Sequence, residues 1–172
     1  MAELISDIYP QVRQQLTALE LNSERPLIIS DADEVLLHFA SPFREYIRSV
    51  GWEVDFRSYA LLGNIRHQTS RERATREQIM ELVEGFFAIH VEKQAAVEGA
   101  ATALKLLANQ AQIVILTNVP YAHHPARIRS MKKLDMDYPL IANRGLKGPV
   151  VRHLADQIRA PVFFIDDIDH HH

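Results

Sequence analysis

Apolar positions change their spacing along this chain, and the change divides it. Leu4, Ile8, Val12, Leu16 and Leu19 fall on one face at helical spacing, which predicts an amphipathic helix over 3–20 with Pro10 in its early turns. Leu27-Ile28-Ile29 is instead a short unbroken apolar run, predicting a strand over 27–31. From Leu36 to about Val97 the spacing is again mostly helical. Phe39, Phe43, Ile47 and Val50 form one stripe that Gly51 would stop, and Ile79, Leu82, Val83 and Phe86 form another behind Thr75.

Beyond residue 97 helical and strand patterns alternate. GAATALKLLANQ predicts a helix with Ala100, Leu104 and Leu107 inward, and QIVILTN predicts a strand over 113–116. A helix around 124–134, a short strand in YPLIAN, a helix in PVVRHLADQIRA started by Pro149, and a strand in PVFFIDD follow. These strands are runs rather than alternations, so they are expected to be buried on both faces. The prediction is an α/β protein with a parallel sheet. Residues 1–35 and 98–172 form the core, and 36–97 is a helical insertion after the first strand.

Composition narrows the function. At 172 residues the chain is long enough for one domain with a real core. A net charge of -3 argues against nucleic-acid or membrane binding driven by bulk positive charge. The absence of cysteine excludes disulfides, thiolate catalysis and zinc–cysteine sites. No apolar run approaches a membrane span, and MAELISDIYPQVRQQL has no signal-peptide core, so a cytoplasmic protein is expected. No internal repeat is visible.

The candidate chemistry sits where apolar runs stop. The first run ends in Asp31 and Asp33, the second in Thr117 and Asn118, and the last in Asp166 and Asp167 with Asp169 close behind. Lys147 stands just before a predicted helix. In an open parallel sheet the strand C-termini share one edge, where ligands bind, so these residues are expected to converge. Several carboxylates in one crevice repel one another and call for a cation, and an all-oxygen set favours Mg²⁺. Thr117, Asn118 and Lys147 add donors and a positive charge, which suits a phosphate beside that metal. One carboxylate could attack phosphorus while a second protonates the leaving oxygen and later activates water.

Each motif alone has a blander reading. Asp31 and Asp33 could cap a helix, Thr117-Asn118 could be a turn, and Lys147 could be a solvated surface lysine. A calcium loop is excluded, because Val35 and Leu36 stand where it needs an oxygen ligand and a glycine. The order and placement of all four motifs together favour a reaction site.

As a set, these residues resemble the haloacid dehalogenase-like hydrolase superfamily from about residue 26 onward. IISDADEV matches the strand and DxDx(T/V) of the first motif, and VILTN matches the second. GLKGPV matches the lysine of the third, and FFIDD the acidic pair of the fourth. The resemblance implies a Rossmann-like core and, for most members, Mg²⁺-dependent phosphoryl transfer through an aspartyl-phosphate. By position it implies Asp31 as nucleophile, Asp33 as general acid and base, and Thr117 and Lys147 as ligands of the transferring group. Metal ligands would be Asp31, the backbone carbonyl of Asp33, and Asp166 or Asp167. Asp33 argues against a true dehalogenase, which usually lacks that second acid.

Glu34 replaces a glycine found in many members, adding negative charge near the site. The resemblance also implies a helix and strand after the fourth motif, which this sequence does not contain. The sheet is therefore expected to lack its last strand and expose an edge.

The 36–97 segment occupies the place of a cap that selects substrate, and a small phosphorylated metabolite is the expected partner. IRHQTSRERATRE within it reads as a salt-bridged solvated face, with Arg66 or His67 as candidates to grip an anionic leaving group. Trp52, Phe56 and Tyr59 are core or crevice lining, and His123-His124 is a surface turn. The leading expectation is a Mg²⁺-dependent phosphomonoester hydrolase. The alternative is a non-catalytic phosphate- or metal-binding protein of the same fold, which would not need to keep the full acid, Thr117 and Lys147 set. A receiver domain is disfavoured because its paired acids come early, whereas Asp166-Asp167 comes last.

Overall fold

The computed structural model describes residues 8–55, 61 and 63–167. In chain order its elements are α1 (Pro10–Thr17), β1 (Leu27–Ser30), α2 (Ala40–Ser49), β2 (Trp52–Val54), β3 (Ile65–His67), α3 (Arg76–His90), α4 (Ala100–Leu107), β4 (Gln112–Thr117), α5 (His124–Lys133), β5 (Leu140–Ala142), α6 (Gly148–Ala155) and β6 (Val162–Ile165). A 3-10 turn, Tyr121–His123, leads into α5. Pro10 does not interrupt α1 but opens it, since its missing N–H falls where no helical partner exists. Pro149 does the same for α6. Gly51, at φ 87°, follows α2 in the left-handed conformation that ends a helix cleanly.

Four strands form one parallel sheet in the order β5-β4-β1-β6, with Ile29 level with Val114 on one side and Phe164 on the other. Alternate side chains enter opposite layers. Ile28, Ile113 and Ile115 pack with Leu104 of α4 and Met131 of α5. Leu27, Ile29, Val114 and Leu116 pack with Val12 and Leu16 of α1 and Val150 and Leu154 of α6. This three-layer arrangement is why β1, β4 and β5 are apolar runs.

β6 departs from the expectation of burial on both faces. Val162 and Phe164 face the α1/α6 layer, but Phe163 is 55% exposed and Ile165 41% exposed. The strand lies at the sheet edge, and among the described residues no helix covers its second face.

Between β1 and α4 the chain leaves the sheet and returns. The two crossings run side by side: Leu37 bridges Ala96, His38 N–H donates to Ala95 O, and Val97 N–H donates to Leu36 O. α2 and α3 supply Phe43, Ile47, Ile79, Leu82, Phe86 and Phe87 to a cluster that reaches the core at Val119 and Ala142. This segment also contains an antiparallel pair, β2–β3, that helical periodicity does not predict. Strands of three residues are too short to establish a period of two. Trp52 belongs to this packing, edge-on to His67, whereas Phe56, Tyr59, Leu4, Asp169 and His170–His172 lie outside the described residues. Among the described residues no helix is long and apolar enough to cross a membrane.

Candidate active site

The edge formed by the C-terminal ends of the strands carries the predicted residues. Asp31 directly follows β1, and its N–H continues the ladder to Ile165 O at 2.9 Å. The chain then turns tightly, with the N–H groups of Leu36 and Leu37 both donating to Ala32 O at 2.8 Å. Glu34 sits at the bend with φ 61°, an energetically unfavourable conformation for a residue with a side chain. Its carboxylate is occupied locally, accepting from the N–H groups of Phe39 and Ala40 at the start of α2, both at 2.6 Å. Its charge still reaches Asp167.

Lys147 joins two strand ends. From its position at the N-terminus of α6, its Nζ lies 2.6 Å from Asp31 Oδ2 and 2.8 Å from Asp166 Oδ2, and the residue is 2% exposed. The solvated surface lysine is thereby ruled out. Asp31 Oδ1 accepts from Ala32 N–H at 2.7 Å. Burial pushes the Asp31 carboxyl up to about 7; Lys147 opposes this, and the charges of Asp33 and Asp166 add to it. Asp167 is raised in the same way, by burial and then by Asp166.

Carboxylate oxygens of Asp31, Asp166 and Asp167 all lie within 4.8 Å of one another. Such a set of hard oxygen donors, held close against their mutual repulsion, fits a hard divalent cation. The recorded ion pairs of these acids run to two cations: Lys147 meets Asp31 and Asp166, and Arg127 meets Asp33.

The side chain of Asp33 stands apart from that triad. Its Oδ1 accepts from Arg127 Nη2 at 2.9 Å and Gln94 Nε2 at 3.0 Å. Its Oδ2 has longer contacts, to Arg127 Nη2 at 3.3 Å and Thr117 Oγ1 at 3.4 Å. Thr117, at the end of β4, is fully buried beside it. Asn118 braces the loop that precedes Lys147, donating to Gly145 O at 2.9 Å and accepting from Asn143 Nδ2 at 2.9 Å. In this arrangement its amide serves the loop.

Sequence reasoning missed Arg127, Gln94 and Asn143. Arg127 is wholly buried in α5, yet HPARIRSMKK reads as an exposed basic helix. The one available signal is that Arg127 stands four residues before Met131, on the stripe that faces the core. Neither Arg66 nor His67 is brought to the site carboxylates. Arg66 donates to Arg71 O and lines a separate polar cavity of about 520 Å³ with Arg44, Arg48 and Glu53. His123 and His124 diverge, one to Glu84 at 2.7 Å and the other to Leu140 O at 3.0 Å, so they share no metal.

No protein-family model matches this chain, and no curated protein sequence matches it. Several solved structures resemble it, among them two crystal structures. One is a Clostridium difficile protein named as a candidate phosphatase, with 18% identity and a TM-score of 0.52, covering 84% of this chain and 78% of that one. The other is a Geobacter sulfurreducens hydrolase of the HAD superfamily, subfamily IA, variant 1, with 18% identity and a TM-score of 0.50, covering 84% and 81%. At that identity the likeness is one of fold: the chain has the Rossmann-like α/β architecture found in haloacid dehalogenase-like hydrolases.

Proposed function

We propose that the chain is a haloacid dehalogenase-like phosphomonoester hydrolase acting through an aspartyl-phosphate. The observation that carries this reading is Lys147 held between Asp31 and Asp166, with Asp167 in the same oxygen cluster. A lysine buried among carboxylates suits a site that receives and releases an anion. Asp31, Asp166 and Asp167, with the backbone carbonyl of Asp33, would hold Mg²⁺, which supplies charge neutralisation between an anionic nucleophile and an anionic ester.

The residues divide the work as follows. An oxygen of Asp31 attacks phosphorus while the ester P–O bond breaks, its electron pair leaving on the ester oxygen. Asp33 delivers a proton to that oxygen, then takes one from the water that cleaves the aspartyl-phosphate, releasing inorganic phosphate and restoring Asp31. Lys147 and Thr117 neutralise and orient the phosphoryl oxygens. The 36–97 segment acts as the cap over the core of 1–35 and 98–172. A small phosphorylated metabolite is the proposed substrate, on the size of that cap; the cavity of about 330 Å³ lined by Ile79, Val83, Pro120, Tyr121, Asn143 and Arg144 includes none of the site carboxylates.

One observation favours the non-catalytic alternative: the Asp33 carboxylate is already occupied by Arg127 and Gln94. Hydrolysis of an aryl phosphate with Mg²⁺, with chelator and with Asp31→Asn decides between them. The hydrolase reading expects Mg²⁺-dependent turnover that falls at least ~10³-fold in Asp31→Asn. Folded wild-type protein that turns over no ester would favour the scaffold.

A further inference from the structure

We propose that Arg127 is the positioning residue for Asp33, and that Phe87 and Gln94 tie this positioning to the 36–97 segment. This rests on the hydrolase reading above. Arg127 is 0% exposed, yet only its Nη2 finds a hydrogen-bond acceptor; Nε and Nη1 have none among the described residues. Its guanidinium lies 5.3 Å from the Phe87 ring centroid, within cation–π range. As a source of stability this is a poor arrangement. A buried charge with so few partners is generally outperformed by an apolar side chain of similar volume. What it provides is a fixed carboxylate.

The clamp on Asp33 is uneven. Arg127 and Gln94 hold Oδ1 at 2.9 and 3.0 Å, whereas Oδ2 has only contacts of 3.3 and 3.4 Å. The geometry assigns Oδ1 as the anchored oxygen and Oδ2 as the one that exchanges the proton. In the first step the bond between Asp31 and phosphorus forms and the ester P–O bond breaks; the ester oxygen takes its proton from Asp33 Oδ2. The clamp spans the molecule. Arg127 belongs to the core helix α5 and Phe87 to α3, while Gln94 lies on the returning crossing. Gln94 Nε2 also donates to His38 O, at 3.1 Å, on the outgoing crossing. Movement of α3 or of either crossing therefore bears on the orientation of Asp33.

Two esters of similar shape test this. Phenyl phosphate needs a proton on its leaving oxygen, whereas 4-nitrophenyl phosphate departs readily without one. kcat/KM reports steps through departure of that group. In Arg127→Met the loss on phenyl phosphate should exceed the loss on 4-nitrophenyl phosphate by about 10- to 100-fold, a part of the ~10²- to 10⁴-fold that general acid–base catalysis supplies. Gln94→Leu, which removes no charge, should discriminate in the same direction by a smaller factor, and it decides the matter if Arg127→Met does not fold. Equal losses on both esters would overturn the positioning role and leave the hydrolase reading intact. No wild-type turnover of either ester would overturn both.

Thermal melts provide a readout independent of activity. Asp33→Asn and Arg127→Met should each lower Tm, and the double variant should lose less than their sum, because it leaves no buried charge unpaired. Additive losses would count against the pair.

Discussion

Asp31 combines two demands that oppose each other. As the proposed nucleophile it must be ionised, yet burial favours its protonated form and raises it from 3.8 to about 7. Between those values the folded chain keeps a proton that the unfolded chain has released. Stability in chelator is therefore expected to fall as pH rises from about 4 to about 7, by an amount on the order of a few kcal/mol. Asp167 is shifted the same way and adds to the trend. Asp31→Asn cannot ionise at that position, so it should lose less stability than wild type between pH 5 and pH 8. Urea melts at those two pH values check this; equal losses would place the titration elsewhere.

Among the elements, α3 links the proposed cap to the candidate site because it carries Phe87 over Arg127. Its start is fixed by a reciprocal pair: Thr75 Oγ1 accepts from Gln78 N–H at 3.3 Å, and Gln78 Oε1 accepts from Thr75 N–H at 2.9 Å. Thr75→Ala removes one half of that pair and leaves an orphan donor at the first turn. The expected loss is about 1 kcal/mol, read as a lower urea midpoint with unchanged slope. Farther along the helix, Phe86 stacks on His90 and meets Phe39 and Phe43 edge-on, so the aromatic cluster fixes α3 against α2.

At the scale of the whole molecule, the ends of β1 and β6 and the start of α6 meet in a single charged cluster. Among the described residues its acids outnumber its bases, so a divalent cation is expected to stabilise the fold. Mg²⁺ at pH 8 should raise Tm, by about 2.7 kcal/mol of stabilisation at a hundredfold excess over Kd. Chelator should reverse the shift, and Asp167→Asn should reduce it. The shift should shrink at pH 5, where the raised Asp31 retains its proton and is a poorer ligand. Differential scanning fluorimetry with and without Mg²⁺ measures it; a Tm indifferent to the ion at both pH values would exclude binding at the carboxylate cluster.

The sequence by itself determined the four strands of the parallel sheet and the convergence of Asp31, Thr117, Lys147 and Asp166-Asp167. Each depends on local patterns: an apolar run long enough to demand burial, then reactive residues at its end, with parallel topology placing all such ends along one edge. The tertiary structure alone decided what holds Asp33, because Arg127 pairs with it across 94 positions and a buried arginine leaves almost no mark on helical periodicity. It also gave the Asn118 amide to the loop before Lys147, exposed one face of β6, and paired β2 with β3. Local pattern registers an apolar side chain's need for burial, but the partner of a buried polar group, and the cover over an edge strand, depend on which distant segments the fold brings together.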